Sequence, residues 1–512
     1  MSEALLARDE AGESTVVTSV PTTSRSRLVP VLIFLGFALL GAAWAMAQPW
    51  DGAPDERAHM VRAVGVVSGQ IAPDGWTAVG PVTQHVPSEL KFDACFAFDP
   101  SKSAACLYDK QPIHGQMVNE TTAAGRYQPL YYALVGWPLS WMPDNLGLTL
   151  SRLIGVLLSA GFVGFAALAV VRWVRRPLML AGLLLAVTPE ALSVIGEINP
   201  NGLEIASAVA MWAALIPLVF EDGPIDRRLV WLAGVAAAVL ALVRPNGPLE
   251  VAEAAVAVLL FAGGTRLKRL FTSKKVWALI VGVGVAGVAS GVWTLVLKAN
   301  ELLAVGGHNW TYAQALRVVI ADRLPGYVEG MIGYFGYLDT ELPATFYFVW
   351  LAVTGFIVLT AMVVGSRADR WRMILTVAVT FVPIAAGDVL TVHSLGMIMQ
   401  GRYILPVSAG IVLMATHIIS RSGAVSARHQ RAAVGFVAGV VAFEQLWALM
   451  YAMIRFQHGL NSEIPLMNPL DGPWHPVIGS PATLALGVVG VAVLLVAVRT
   501  AKFTDATAIP TR

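Results

Sequence analysis

The sequence has little charge, almost no cysteine and no phosphate-binding loop. Charged residues make up 13% of its 512 residues, whereas hydrophobic residues make up 56%. So few charges cannot cover the surface of a water-soluble globule, and the composition therefore indicates a protein that crosses a membrane several times. The formal net charge of +2 gives no general basic field of the kind that binds nucleic acid. No Walker-type sequence is present, so the energy for any reaction must arrive with the substrate.

The two cysteines of the chain both lie in the polar segment after the first apolar run. Cys95 and Cys106 are close enough in sequence to form a disulfide if that segment faces an oxidising compartment. Two unpaired thiols are the alternative. A zinc site is disfavoured because the sequence has no CxxC spacing.

Apolar runs recur along most of the chain. The first, residues 28–47, is long enough to cross about 30 Å of hydrocarbon, and we interpret it as a retained span rather than a cleaved signal peptide. Residues 1–27 before it are polar and predict a disordered tail. The pattern predicts an all-α polytopic membrane protein with about twelve spans, within a range of about 11 to 13. The further runs cover residues 151–171, 177–195, 203–220, 229–243, 248–263, 276–298, 345–364, 373–392, 403–420, 432–453 and 478–498.

The segment at residues 127–142 is interrupted by prolines, and whether it crosses the membrane decides the topology. If it does not cross, the later basic clusters lie on the same side as the N-terminal tail, in keeping with the excess of Lys and Arg in cytoplasmic loops. We therefore predict a re-entrant or interfacial helix there, and cytoplasmic termini. The basic clusters cover residues 172–176, 266–275, 367–372, 421–431 and 499–502. The predicted divisions are a tail at 1–27, a membrane domain at 28–498 with long extracytoplasmic segments at 48–126 and 299–344, and a tail at 499–512.

Ionisable residues lie directly after the first run, in the sequence PDERAH and the turn beyond it. Asp55, His59 and Arg62 are spaced i, i+4 and i+7, so they would line one face of a helix that begins near Pro54. Charge at a membrane surface is costly and often functional, although a solvated acidic first turn fits the same pattern. We expect Asp55, before Glu56, to act as a general base. Metal binding by these residues is disfavoured because DExxH is not the HExxH motif and lacks a third ligand.

Two further polar sites lie on the outer side in this topology. The sequence GEINPNG contains Glu197 and Asn199, which form either a second acidic site for a hydroxylated substrate or a capped turn with Asn201 as the N-cap. Arg244 ends an apolar run, where substrate binding and simple snorkelling are equally consistent with its position.

Cations and aromatic residues also occur at the outer ends of later runs. Gln400, Arg402 and Tyr403 lie in the sequence MQGRY, where the cation runs against the positive-inside bias. A bound phosphate explains it, whether from a substrate or from an ordinary lipid headgroup. Tyr337 and Asp339 lie in YFGYLDTELP, a mixture suited to stacking on a sugar ring or to an interfacial aromatic belt.

Six segments occur in the order and approximate spacing of one known family. The sequence, from about residue 30 to about residue 500, resembles domain-of-unknown-function family 2142, whose multi-spanning proteins are similar to the GT-C glycosyltransferase superfamily. Two positions depart from the family's usual pattern, since Arg57 replaces a commoner proline and Arg244 a common lysine. The six segments are PDERAHMVRAVGVVSGQI, YQPLYY, EINPNGLEIASA, LVRPNGP, YFGYLDTELP and MQGRYILPV.

The resemblance implies a GT-C-like helical bundle that transfers a sugar, with inversion, from a polyprenyl phosphate donor to a hydroxyl acceptor. Asp55 is then the base, with Glu56 next to it, and Arg402, with Arg126 or Arg244 as a further candidate, holds the charge of the leaving lipid phosphate. This chemistry requires no cofactor, although the acidic residues leave room for a divalent cation such as Mg²⁺ or Mn²⁺. The residues expected to bind donor or acceptor are His59, Arg62, Arg126, Tyr127, Glu197, Asn199, Arg244, Tyr337, Asp339, Gln400, Arg402 and Tyr403.

The expected partners are a polyprenyl phosphate sugar, membrane lipids and a glycan, lipid or protein acceptor of the cell envelope, but no nucleic acid. The expected location is the plasma (inner) membrane, with the active site on the extracytoplasmic side and a role in cell wall biosynthesis. A transporter or flippase of a lipid-linked saccharide is the alternative. It is disfavoured because the charges lie mostly at the ends of spans and no convincing internal repeat is present.

Overall fold

The computed structural model of the protein describes residues 28–73, 80–108, 115–300, 306–460, 468–501 and 503. The predicted tail at 1–27 and most of the predicted tail at 499–512 lie outside these residues. Helices form most of the described chain, and the prediction of an all-α polytopic membrane protein is confirmed. The described α-helices are α1 (Val29–Ala47), α2 (Glu56–Val67), α3 (Leu130–Trp141), α4 (Asn145–Ala169), α5 (Leu178–Ala186), α6 (Pro189–Ile195), α7 (Pro200–Phe220), α8 (Arg227–Val243), α9 (Gly247–Leu259), α10 (Gly264–Phe271), α11 (Lys274–Val296), α12 (Tyr312–Val318), α13 (Leu324–Ile332), α14 (Ala344–Val364), α15 (Arg367–Thr391), α16 (Leu405–Ser422), α17 (Ala427–His458) and α18 (Ser480–Thr500).

The predicted apolar runs all fall on helices, but they differ in length. Nine described helices are long and apolar enough to cross a membrane, and the pair α5 and α6, bent by 56°, makes a tenth if it counts as one span. The two remaining runs correspond to α8 and α9, which have 17 and 13 residues. At 1.5 Å per residue α9 extends only about 20 Å, less than the hydrocarbon thickness of about 30 Å.

The bend between α5 and α6 has a local cause. Pro189 lacks an N–H group, so it begins a new helix instead of continuing α5. The hydroxyl of Thr188 caps that helix by accepting a hydrogen bond from the backbone N–H of Ala191. The bend lets α6 turn inside the bundle, where it leads into the GEINPNG turn.

The centre of the bundle is α7, and neighbouring helices bury 94% of the residues in its apolar stretch. It packs against α4, α8 and α16. The first helix, α1, lies between α4 and α18, and small residues allow a close approach there. A Cβ atom on Gly36 would lie 2.5 Å from a methyl carbon of Leu494. Helices α1 and α7, whose ends lead into polar segments, are therefore held closely by their neighbours.

The helix α3 occupies the segment whose crossing was in question. It has 12 residues, so it extends about 18 Å and is too short to cross the hydrocarbon alone. It packs against α2 and α4 at one end of the bundle. These features fit the predicted re-entrant or interfacial helix.

The first polar segment folds over the same end of the bundle. Its two strands, β1 (Val82–Pro87) and β2 (Met117–Thr122), pair antiparallel, and Cys95 forms a disulfide with Cys106. The buried Arg455 of α17 donates to the carbonyl oxygens of Phe96, Asp99 and Lys102. This one guanidinium therefore fixes the disulfide-bonded loop onto the membrane helices.

A second connection joins the loop to a short hairpin. The strands β3 (Tyr334–Phe335) and β4 (Thr340–Glu341) pair antiparallel in the segment YFGYLDTELP. Between them, Asp339 accepts a hydrogen bond from Arg455 at 3.0 Å. Its role in the structure is to anchor the hairpin, and the side chain is 7% exposed.

Four of the predicted basic clusters meet at the opposite end of the bundle, which we call the basic end (residues 172–176, 218–226, 261–275, 366–372 and 417–431). Arg176 pairs with Glu221, and Arg269 donates to the carbonyl oxygens of Leu218 and Glu221. Arg421 donates to the carbonyl oxygen of Phe220. The 21 residues of α7 separate this end from the GEINPNG turn by about 32 Å. The two ends are thus one bilayer thickness apart.

We predict that replacing both cysteines, Cys95→Ser with Cys106→Ser, lowers the free energy of unfolding by about 2–3 kcal/mol because the denatured loop gains conformational freedom. Denaturant unfolding of the purified protein in detergent measures the change. Reductant should destabilise the wild type by the same amount and leave the double variant unaffected. Equal stability of the two proteins without reductant would contradict the prediction.

Candidate functional site

The turn before α2 exposes one carboxylate and buries the next. Asp55 occupies the N-cap position in the left-handed region, at φ 72°, and its side chain makes no capping hydrogen bond. A residue other than glycine in this region is uncommon and costs about 1–3 kcal/mol, so the fold must impose it. The Asp55 side chain is 53% exposed, and its Oδ2 lies 2.9 Å from Nη2 of Arg402. A carboxylate that is not used for capping is thus held at the surface of the site.

Arg402 reaches Asp55 from the short 3-10 turn Gly401–Ile404 that precedes α16. Its side chain is only 4% exposed, and its Nε has no hydrogen-bond partner among the described residues. The guanidinium lies over the ring of Tyr403, 5.4 Å from the centroid. Arg402 is therefore a buried cation with donor capacity left for a ligand.

A second arginine approaches the same aromatic ring. Arg244 follows the last residue of α8, and its guanidinium lies 5.2 Å from the ring centroid of Tyr403. Its Nη1 donates to Oε2 of Glu204, a fully buried residue of α7, at 2.7 Å. Two guanidiniums from separate helix ends thus share one tyrosine, which concentrates positive charge beside Asp55.

Tyr127 and His59 complete the cluster. The His59 ring lies 6.0 Å from that of Tyr127, and its Nδ1 is 2.8 Å from the hydroxyl of Tyr132. Burial lowers the pKa of His59 to about 3, so the imidazole is neutral at physiological pH. Tyr127 hydrogen-bonds with Arg244, and burial raises the pKa of its hydroxyl. His59 can therefore position or hydrogen-bond a substrate, but it adds no charge.

Glu56, the neighbour of Asp55, has a different environment. It is fully buried, and its two oxygens accept hydrogen bonds from Nε and Nη2 of Arg152 at 2.7 and 2.5 Å. Its Oε1 also accepts from the backbone N–H of Ile198. Arg152 in turn donates to the carbonyl oxygens at the end of α1. This pair joins α1, α2, α4 and the GEINPNG turn, so Glu56 is committed to structural contacts, whereas the carboxylate of Asp55 is half exposed.

The GEINPNG turn contains both of the alternatives considered for it. Asn199, rather than Asn201, is the N-cap of α7, because its Oδ1 accepts from the backbone N–H of Asn201. The Asn201 side chain donates to Glu204 instead. Glu197 is 1% exposed, and its Oε2 has no hydrogen-bond partner among the described residues. Burial, with the nearby charge of Glu56, raises the pKa of Glu197 well above its usual value.

Other predicted site residues support the surrounding structure. Arg62 donates to the carbonyl oxygens of Gln70, Ile71 and Tyr127. Arg126 donates to the carbonyl oxygens of Gly80 and Leu297, so both arginines brace loops. The structure brings together Asp55, His59, Tyr127, Arg244, Arg402 and Tyr403, and Glu197 is near enough to Arg402 to interact with its charge.

Tyr337, Asp339 and Gln400 lie around this cluster with other partners. Tyr337 hydrogen-bonds with Asp51, whose pKa burial raises to about 6. Asp339 pairs with Arg455, and Gln400 is the N-cap residue of the turn that carries Arg402. These contacts connect the hairpin and the 3-10 turn to the site and place no further charge beside Asp55.

Sequence reasoning missed two ion-pair partners, Arg152 and Glu204, and the buried Asp51, although each had a visible signal. Arg152 and Glu204 are ionisable residues inside apolar runs, where charge is costly unless it is paired. Asp51 is an acidic residue four positions before Asp55, and its left-handed φ of 53° was not predicted. The partners of Arg152 and Glu204 lie 96 and 40 residues away, so sequence spacing alone does not reveal them.

The acidic residues of the cluster pair with arginines rather than with one another. In the part of the chain that the structure describes, no group of three or more His, Cys, Asp and Glu side chains could hold a metal ion. The carboxylates of Asp55, Glu56 and Glu204 each pair with a separate arginine. This donor set does not fit a divalent cation, because three guanidiniums already neutralise it.

Comparison with known proteins identifies the family of this chain. Residues 37–411 match the family model described as "Predicted membrane protein (DUF2142)", which confirms the resemblance drawn from the six segments. No curated protein matches the sequence. ArnT from Cupriavidus metallidurans bound to undecaprenyl phosphate is 13% identical, with a TM-score of 0.44 over 93% of this chain and 77% of that chain. The apo state of ArnT is 14% identical, with a TM-score of 0.40 over 92% and 76%.

We predict that Glu56→Gln destabilises the protein by about 3–5 kcal/mol, because the change leaves Arg152 as an uncompensated buried charge. Thermal or denaturant unfolding in detergent measures the loss. Glu341→Gln, the same change at an exposed residue of β4, is the matched control and should change stability by less than about 0.5 kcal/mol. A Glu56→Gln protein of wild-type stability would contradict the structural role.

Proposed function

The chain belongs to the DUF2142 family of membrane proteins, and we propose that it is a GT-C-type glycosyltransferase that uses a polyprenyl phosphate sugar. One observation carries the proposal: the exposed carboxylate of Asp55 lies 2.9 Å from the buried Arg402, and the guanidiniums of Arg402 and Arg244 both contact the ring of Tyr403. Both arginines lie at the ends of apolar helices. At the ends of membrane helices, the phosphate of a lipid whose chain lies in the bilayer can meet an acceptor that arrives from water.

The two arginines are the proposed phosphate-binding groups. A phosphate diester has a negative charge and several acceptor oxygens, which suit the planar donor array of a guanidinium. Arg402 has an unpartnered Nε, whereas Arg244 is already tied to Glu204. Arg402 therefore moves to the phosphate when the donor binds, while Arg244 and Tyr403 hold one wall of the site in place.

The exchange of partners by Arg402 releases Asp55 for chemistry. The carboxylate accepts the proton of the acceptor hydroxyl, and the resulting oxygen attacks the anomeric carbon. The bond between that carbon and the phosphate oxygen breaks, and its electron pair leaves with the lipid phosphate. The departing dianion is stabilised by Arg402 and Arg244. A single displacement inverts the anomeric centre, and no step uses a metal ion.

The proposed setting is the cell envelope. The basic end faces the cytoplasm in this proposal, because Lys and Arg are enriched in cytoplasmic loops. The Asp55 cluster then faces the extracytoplasmic side of the plasma membrane, as does the disulfide of the first polar segment. The acceptor is a hydroxyl group of a glycan, a lipid or a protein in cell wall biosynthesis.

We expect Asp55→Asn to lower the rate of sugar transfer by about 10²–10⁴-fold, since the amide cannot take the proton. The assay uses purified protein, a panel of polyprenyl phosphate sugars and cell-envelope acceptors, with released polyprenyl phosphate as the readout. Asp222→Asn, the same change at an exposed residue of the basic end, is the control and should retain wild-type transfer. Equal rates for Asp55→Asn and the wild type would rule out the base assignment. A wild type that moves intact donor between leaflets and releases no phosphate would instead indicate a flippase.

We expect Arg402→Gln to weaken donor use by about 10- to 100-fold, the effect of losing a charged hydrogen bond to phosphate. The loss should occur in both KM for the donor and kcat, because the same guanidinium binds the phosphate and stabilises it as it leaves. Arg402→Lys keeps the charge without the planar donor array and should recover part of the activity. If Gln and Lys variants both transfer at the wild-type rate, the phosphate lies elsewhere.

A further inference from the structure

The basic end contains a cavity that the proposed transfer reaction does not use. It has a volume of about 450 Å³ and lies between α7, α10, α15 and α16. The side chains that define it, which we call the basic cavity, belong to Phe220, Arg266, Asp369, Arg372, His417 and Arg421. It is about 30 Å from the Asp55 cluster along α7.

The positive charge of the basic cavity is only partly neutralised. Arg372 pairs with Asp369, but among the described residues Arg266 and Arg421 donate only to the backbone carbonyl oxygens of Ala262 and Phe220. Both of these arginines lie close enough to Arg372 to repel its charge. Three guanidiniums thus face one carboxylate, an arrangement that attracts an anion.

The ring of Phe220 brings two of these cations together. The guanidinium carbon of Arg372 lies 4.5 Å from the ring centroid, and that of Arg266 lies 5.9 Å from it. The two residues come from different helices, 106 positions apart in sequence. An excess of basic residues in loops requires only exposed cations, so their convergence on a buried ring is a separate structural feature.

His417 gives an independent indication of a ligand. Its side chain is 2% exposed and lines the basic cavity, and neither ring nitrogen has a hydrogen-bond partner among the described residues. Nδ1 is 3.9 Å from Oε1 of Glu221, beyond hydrogen-bond distance, and that carboxylate pairs with Arg176. A buried imidazole always has at least one N–H to donate, and leaving it unsatisfied lowers stability.

We propose that the basic cavity binds a phosphate group through Arg266, Arg421 and the imidazole of His417. Phosphate fits better than a carboxylate because its several oxygens can accept from all three side chains at once. The cavity is larger than one phosphate ion, so it has room for the group esterified to it. Val364, Met414 and Ile418 supply apolar wall, which suits the glycerol and upper acyl part of an anionic lipid. A free phosphate compound presents the same chemistry, and the experiment separates the two sources.

The test uses the full-length protein purified in detergent, with two probes. Inorganic phosphate is titrated by calorimetry against wild type, and phosphatidylglycerol is added in mixed micelles and counted by native mass spectrometry, with phosphatidylcholine as the reference lipid. The test variant is Arg266→Gln with Arg421→Gln, two side chains whose hydrogen bonds among the described residues are to backbone carbonyls. The matched control is Arg428→Gln, which removes an exposed charge from the same end outside the cavity.

We expect wild type to bind one of the probes, with affinity falling by about tenfold or more for each arginine lost and by less than about twofold in Arg428→Gln. Phosphate binding identifies a free phosphate ligand, whereas retention of phosphatidylglycerol alone identifies a lipid headgroup. His417→Phe should weaken the same probe and serves as the second variant if the double variant unfolds. Wild type that binds neither probe, or an equal loss in Arg428→Gln, would overturn the proposal. Sugar transfer is not part of this readout, so the result is independent of the proposed function.

Discussion

The structure depends on the cost of placing charge in an apolar environment. An isolated ionised group inside the bundle loses its hydration, and pairing with an opposite charge and further hydrogen bonds offsets that loss. Arg152 illustrates the arrangement, since it satisfies both oxygens of Glu56 and three carbonyl oxygens at the end of α1. Glu204 with Arg244 and Asp339 with Arg455 follow the same rule. These pairs fix where the helix ends lie relative to one another, and the site is built on those ends.

The apolar runs predicted the helices well because the bilayer thickness imposes a length that is visible in the sequence. The exceptions are instructive. Residues 177–195 read as one span, but Pro189 divides them, and the capping of α6 by Thr188 gives a bend that hydropathy does not detect. The composition of residues 248–263 predicts a span, but α9 has only 13 residues and is too short to cross the membrane. The length of an apolar run can be read from its composition, whereas a bend within it depends on single residues such as Pro189.

The candidate site was predictable in part, and for a physical reason. Asp55, Arg244 and Arg402 were identified because charge at the end of an apolar run is costly and therefore informative. Their convergence was not predictable, because Asp55 and Arg402 lie 347 residues apart and meet only through packing of the helices between them. Arg62 and Arg126 share the composition of site residues but brace carbonyl groups. Residue type alone does not distinguish a guanidinium that supports a loop from one with an unpartnered donor.

Asp55 and Glu56 differ in the way that separates the proposed reactive carboxylate from a structural one. The two residues are adjacent, and helical spacing gave only a weak preference for Asp55 as the base. Asp55 has a left-handed backbone and a half-exposed side chain, whereas Glu56 enters α2 and is buried against Arg152. A fully satisfied carboxylate has no oxygen left for a substrate, but the single contact from Arg402 to Asp55 can be exchanged for a phosphate. Availability of an alternative partner, rather than charge itself, is therefore what suits this end of the bundle to the proposed group transfer.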